Sequence, residues 1–265
     1  MKCNDLQMQA ILQDSRYQDI GALPSQCRGY DWDTLLIRPL ELPEFMLASK
    51  AAMLKEMSHM IRAVDLVINR DASELTIGDF YYILMWLRIH SMPKTPLVVT
   101  WDCNSQVLRH KETGQIIYND ETYQHPENLA DYESVDCDRM NTESLHMVNL
   151  EIISLDDVPT EGEDPQALPK GFDFPRAKHI DGIRTMLNDP ERVLIVPAAQ
   201  WVEGATMVDK FERLKKPDGV DMLSTAMALV DTMQHGIRET TTLTCAHCRA
   251  KVPFEVEVNP MSFFR

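Results

Sequence analysis

The stretch that decides the fold runs from Leu75 to Cys103 and reads LTIGDFYYILMWLRIHSMPKTPLVVTWDC. Its first half is apolar on nearly every side and begins with Thr76 three residues before Asp79, a pattern typical of a capped helix inside a core or interface. Two prolines end that helix, and the residues PLVVTW then predict a strand that stops just before Cys103. A helix followed directly by a short strand indicates a mixed architecture.

Hydrophobic periodicity on both sides of this stretch predicts the remaining elements. Upstream, apolar residues recur at helical spacing over 44–68, which predicts one long amphipathic helix. Downstream, 106–110 and 115–118 predict a hairpin, and two strands at 239–244 and 252–258 close the chain. Further helices are predicted at 176–187 and 221–234. The sequence therefore predicts an α+β fold, with helical groups packed with small antiparallel β-hairpins and zinc-knuckle-like cysteine turns.

Composition shifts divide the chain into four predicted segments. Residues 1–31 are polar and are expected to form a mobile or partner-dependent arm. A helix–helix–hairpin core is expected over 32–119. An acidic insert with a proline-rich linker follows over 120–175, and 176–265 form a helical segment that ends in the CxxC hairpin.

The charge of the chain is concentrated in that insert. The formal net charge is −15, and 14 acidic residues but only one basic residue lie between Asp120 and Asp164. The interpretation we favour is a solvated loop that is dispensable for folding; the alternative is an acidic surface that docks a basic partner or mimics nucleic acid.

A chain this acidic lacks the basic clusters that bind nucleic acid or anionic membranes. Its longest apolar run, Phe80 to Leu87, is too short to span a bilayer.

The cysteines carry the sharpest chemical signal. Cys245 and Cys248 form a CxxC between two predicted strands, the setting in which a tight turn aims two thiolates at one metal. A thioredoxin-type redox pair would need a helix after the motif, and a strand follows instead. Cys103, at the end of the first strand, is expected at the same site, and both Cys137 and His110 are candidates for the fourth ligand. We expect one structural zinc on Cys103, Cys137, Cys245 and Cys248; the competing interpretation is a cluster of buried, metal-free cysteines.

Motifs for catalysis are missing from the sequence. It contains no phosphate-binding GxxxxGK[ST] or GxGxxG, no GxSxG elbow and no HExxH. The chain is therefore predicted not to be an enzyme and to have no small-molecule substrate.

Paired aromatics at the chain end, Phe263 and Phe264, are expected to anchor a protein partner, unless they fold back onto the protein's own hairpin. Six cysteines in this length do not make a disulfide framework, which favours synthesis in a reducing cytoplasm.

Several of these motifs together resemble the T-even-type phage baseplate hub and assembly family. They are IRPL at 37–40, the apolar helix of 75–91, the strand that leads to Cys103, and the terminal CxxC followed by NPMSFFR. The resemblance covers roughly 32–105 and 175–265. It implies a non-enzymatic structural or assembly component of a contractile phage tail, located in the virion baseplate or in the host cytoplasm during assembly, with other tail proteins as partners.

The chain departs from the family pattern at one informative position. In the family the first hairpin often carries its own CxxC, whereas this sequence has Cys103-Asn-Ser-Gln106. Two other functions stay open at this point. One is a zinc-stabilised enzyme or redox protein of unknown substrate, and the other is an acidic inhibitor or nucleic-acid mimic.

Overall fold

The computed structural model describes residues 14–117, 128–155, 168–238 and 240–255, together with Phe264. These residues form two compact units. The helical unit contains the described residues of 14–91, 152–237 and Phe264. The β unit contains those of 92–151 and 238–255.

Seven α-helices lie in the described part of the helical unit. They are α1 (Leu42–Leu54), α2 (Met57–Asp65), α3 (Ile77–Ser91), α4 (Ile180–Leu187), α5 (Val196–Ala199), α6 (Met207–Leu214) and α7 (Gly219–Thr232). Two short antiparallel ladders accompany them, β1 (Gln18–Asp19) with β2 (Leu36–Ile37) and β8 (Ile152–Ile153) with β9 (Gly236–Ile237). Within the described ranges, no helix has both the length and the apolar character that a membrane span requires.

Helix α3 is the buried centre of this unit, as its sequence predicts. Phe80, Ile83, Leu84 and Leu87 are completely inaccessible to solvent, with 0% relative exposure. The Thr76 hydroxyl accepts the Asp79 backbone N–H at 3.2 Å, which gives the helix the predicted N-terminal cap.

The segment that precedes the first helix is not the mobile arm predicted from its polarity. Ser25 donates its backbone N–H to the buried Asp79 carboxylate at 2.9 Å, and the Tyr30 hydroxyl donates to the same carboxylate at 2.7 Å. Leu23 is buried beside them. Because a buried carboxylate is stable only with such donors, this segment is part of the core. The remainder of the predicted arm, residues 1–13, lies outside the described residues.

The single helix predicted over 44–68 is in fact two helices. Lys55 adopts a left-handed conformation with φ of 57°, and its N–H donates back to the Ala51 carbonyl, which ends α1. The Asp181 carboxylate accepts the Met57 N–H at 3.2 Å at the start of α2. Apolar periodicity continues across the break, so the pattern alone could not locate it.

The β unit is built from paired strands. Its strands are β3 (Leu97–Cys103), β4 (Gln106–His110), β5 (Ile116–Ile117), β6 (Tyr132–Asp136), β7 (Arg139–Leu145), β10 (Thr240–Thr244) and β11 (Lys251–Glu255). All pairings are antiparallel: β3 with β7, β4 with both β5 and β6, and β10 with β11. Trp101, Leu145 and Leu243 form one of its apolar clusters. The α+β class and the predicted hairpins are thus confirmed.

Residues 128–151 of the predicted acidic insert form part of this unit rather than a dispensable loop. Strands β6 and β7 lie inside it and pair along their whole lengths with β4 and β3. Their acidic side chains point to solvent, and one of them, Glu133, bonds Arg109 across the ladder at 2.7 Å. Because removal of 120–141 would delete β6 and Cys137, we now expect such a deletion to unfold the β unit. The high density of acidic residues predicted a loop, but the solvent-exposed face of a strand also accommodates acidic side chains.

Candidate metal centre

Two cysteines of the site lie where a long two-stranded ribbon changes direction. One strand of the ribbon is β3 continued by β4, and the other is β6 continued by β7. Cys103 is the last residue of β3, opposite Arg139, and Cys137 lies between β6 and β7. Its backbone N–H donates to the Ser105 carbonyl at 2.9 Å, while Asp138 takes a positive φ of 43°. The junction between the β3–β7 pair and the β4–β6 pair thus brings the Cys103 and Cys137 thiols to the same site.

The other two cysteines come from the turn between β10 and β11. The Cys245 N–H donates to the Ala250 carbonyl at 2.9 Å, and the Arg249 N–H donates to the Cys245 carbonyl at 2.8 Å. Arg249 has φ of 58°, which lets the chain reverse within the motif. His247 also donates its backbone N–H to the Cys245 sulphur, at 3.4 Å. His247 itself is exposed.

All four thiols meet at one point. Their Sγ atoms lie within 4.8 Å of one another and all four residues are buried. The Cys103 and Cys248 sulphurs are 3.6 Å apart, and those of Cys137 and Cys245 are 3.9 Å apart. Neither pair is a disulfide. A tetrahedral zinc with Zn–S bonds of about 2.3 Å would place its ligands about 3.8 Å apart. The two sulphur–sulphur distances lie close to this value, so the cluster can hold a metal ion of that size.

The structure decides between the two candidates for the fourth position. Cys137 lies in the cluster, whereas His110 lies at the far end of β4, where its Nδ1 accepts the N–H groups of Glu112 and Thr113. Gln106, three residues after Cys103, is exposed on β4. The pairing of β4 with β6 and of β3 with β7 places Cys137 on the strand opposite Cys103.

Hydrogen bonds distinguish Cys245 from the other thiols. Burial alone would raise its pKa, but the backbone N–H groups of Cys248 and His247 and the side-chain amide of Asn141 outweigh burial and lower the pKa to about 6. Burial raises the pKa of Cys137 and of Cys248, and the neighbouring thiols raise that of Cys137 further. The surroundings of Cys245 therefore favour its thiolate, whereas those of Cys137 and Cys248 do not, and a nearby cation would favour ionisation of these two as well.

Asn141 is the residue at this site that sequence reasoning missed. Its side chain is buried on β7 and contacts the CxxC turn. A single asparagine inside an acidic run carries no recognisable motif. Only the pairing of β3 with β7, which cannot be read from the sequence, would have shown where it lies.

Phe264, one of the two aromatics predicted to anchor a partner, is buried within the protein. Phe264 has only 1% relative exposure and packs edge-on against Phe45 of α1, with ring centroids 6.2 Å apart. Its carbonyl accepts a hydrogen bond from the Ser49 hydroxyl at 2.8 Å. The ring therefore folds back onto the protein itself, onto helix α1 and not onto the hairpin. Burial there removes the apolar ring from water, as burial against a partner would. Phe263 lies outside the described residues.

Comparison of the chain with protein family models, with curated proteins and with solved structures found no match. The candidate site therefore rests on its own geometry.

Proposed function

We propose that the four cysteines bind one structural zinc ion and that this ion stabilises the β unit. The observation that carries the proposal is a buried set of four sulphurs at the spacing of a tetrahedral site. Structural zinc sites are closed by four protein ligands, whereas catalytic sites keep one position for water or substrate. Here cysteines supply all four ligands, so the ion would have no position at which to activate a water.

The apolar surroundings of the cluster support a structural role. The side chains of Val107 and Ala250 are buried against the sulphurs, and Val135 and Val252 pack around them. A metal in such surroundings is protected from exchange with solvent. The redox alternative is less well supported, because the CxxC lies in a β-turn and not at a helix N-terminus that would activate a thiol for exchange.

Removal of the metal should loosen the β unit selectively. We expect chelation under mildly denaturing conditions to raise hydrogen–deuterium exchange in β3, β7, β10 and β11, because their ends would lose the link that joins them. Peptides from α3 should keep their protection, and added Zn²⁺ should restore that of the strands. Equal exchange before and after chelation, with the zinc shown to be gone, would contradict the structural role.

We further propose that the protein is a non-enzymatic component of a contractile phage tail baseplate or of its assembly. The motifs described above support this proposal, and an apolar surface on α1 agrees with it. Leu42, Met46 and Met53 are exposed by 72%, 64% and 81%. Their spacings of four and seven residues place them on one side of the helix. Exposed apolar side chains grouped in this way are typical of a surface that a partner covers.

Co-expression with tail proteins from the same genome tests the assembly proposal. We expect the protein to co-purify with at least one of them and to appear in tail or baseplate intermediates. Changing Met46 and Met53 to Glu should abolish this association, because two charges would have to be buried. Val220→Glu is the matched control, since Val220 is 81% exposed on a different helix, α7. Absence of the protein from every tail complex and intermediate would refute the proposal.

A further inference from the structure

We infer that Asn141 is a positioning residue of the proposed metal centre, whose side-chain amide both fixes the CxxC turn on β7 and stabilises one thiolate ligand. The inference rests on the proposed zinc site and adds a residue that is not itself a ligand. Ligands of structural metals are commonly held by outer residues whose loss weakens binding by about 10–100-fold.

The amide of Asn141 connects two separate elements. Its Nδ2 donates to the Cys245 sulphur at 3.4 Å and to the Arg139 carbonyl at 3.0 Å. Its Oδ1 accepts the backbone N–H of Ala246 at 3.1 Å. Every polar group of the side chain is thus engaged, and the residue is only 7% exposed. Arg139, two residues earlier on β7, pairs with Cys103, so the same strand segment is tied to two of the four cysteines.

The charge of a filled site explains why a donor matters at this position. Four thiolates around one Zn²⁺ carry a net charge of −2, which the apolar shell cannot offset. N–H groups that point at sulphur spread this charge, and Asn141 supplies such a donor from a side chain, alongside the backbone N–H of His247. An Asp at position 141 has nearly the same shape and keeps an oxygen for Ala246, but it replaces the donor with a negative charge beside the sulphur.

The test compares zinc-loaded full-length Asn141→Asp with the unaltered protein. We expect transfer of zinc to a chromogenic chelator to be about 10–100-fold faster for the variant. In the Co²⁺-substituted proteins, the sulphur-to-cobalt charge-transfer band should move to lower energy, because a thiolate without its N–H donor gives up an electron more readily. A residue with only a structural role would not move that band.

Thr142→Ala is the matched control. Thr142 is the next residue of β7 and is exposed, so its removal leaves both measurements unchanged. If Asn141→Asp does not fold, Asn141→Ser provides the comparison, since it shortens the side chain without adding charge. Equal zinc-transfer rates and identical cobalt spectra for the variant and the unaltered protein would overturn the inference while leaving the metal site intact. Failure of the unaltered protein to bind either metal would instead refute the proposed function, and with it this inference.

Discussion

Replacement of Cys137 by Ser is expected to abolish stoichiometric zinc binding and to unfold the β unit. In the proposed site, Cys137 would be the ligand that joins β6 and β7 to the turn that carries Cys245, and its sulphur is buried. The β unit has short strands and small apolar clusters, so we expect it to depend on the link that a metal would provide. Structural zinc contributes about 10–16 kcal/mol of apparent binding free energy in small domains, and the loss of one ligand removes much of it.

Elemental analysis and hydrogen–deuterium exchange measure the two parts of this prediction. The variant should retain far less than one zinc per chain, and amide protection should be lost from the strands of the β unit. Cys27→Ser is the matched control, because Cys27 is a half-buried free cysteine of the helical unit and does not belong to the cluster. A Cys137→Ser protein that still binds one zinc per chain and keeps its strands protected would contradict the assigned ligand set.

Replacement of Trp86 by Asp is expected to destabilise the helical unit by ~3 kcal/mol or more. Trp86 is 7% exposed in the middle of α3 and stacks on His90, with ring centroids 4.0 Å apart. The change removes a large apolar contact and leaves a carboxylate where solvent cannot reach it. For a unit of this size, such a loss lowers the melting temperature by roughly 6–12 °C.

Thermal unfolding followed by circular dichroism at helical wavelengths measures the effect of this change. Met53→Asp is the control, since Met53 is 81% exposed on α1 and the same carboxylate stays in water there. We expect the control to shift the melting temperature by no more than a few degrees, as surface changes generally do. An unchanged melting temperature for Trp86→Asp would show that α3 does not hold the core together.

Local patterns were sufficient to predict part of the candidate site. Strand alternation on both sides of Cys245 and Cys248 predicts a turn, and the end of the PLVVTW strand predicts that Cys103 lies at a similar turn. Both features depend only on neighbours along the chain. The central helix α3 was predictable for the same reason, because a segment that is apolar all round can only be covered.

The pairing of strands that are distant in sequence explains why the sequence alone could not identify the fourth cysteine of the cluster. Cys137 was one of two candidates because its neighbours are acidic, and charge density predicts a loop unless the partner strand is known. In the structure β6 and β7 direct acidic side chains to solvent while Cys137 points inward. The break at Lys55 and the burial of Phe264 likewise involve residues distant in sequence. Asp181 accepts a hydrogen bond at the start of α2, just after the break, and Phe45 packs against Phe264.

The metal content of the intact protein tests directly whether the four cysteines bind an ion. Native mass spectrometry of freshly purified, reduced full-length protein, together with elemental analysis, counts the ions bound to each chain and identifies them. We expect one zinc per chain, and none in a variant in which Cys245 and Cys248 are both changed to Ser. Reduced protein that is folded and contains no zinc or other metal would contradict this expectation, and the four buried thiols would then have a packing role alone.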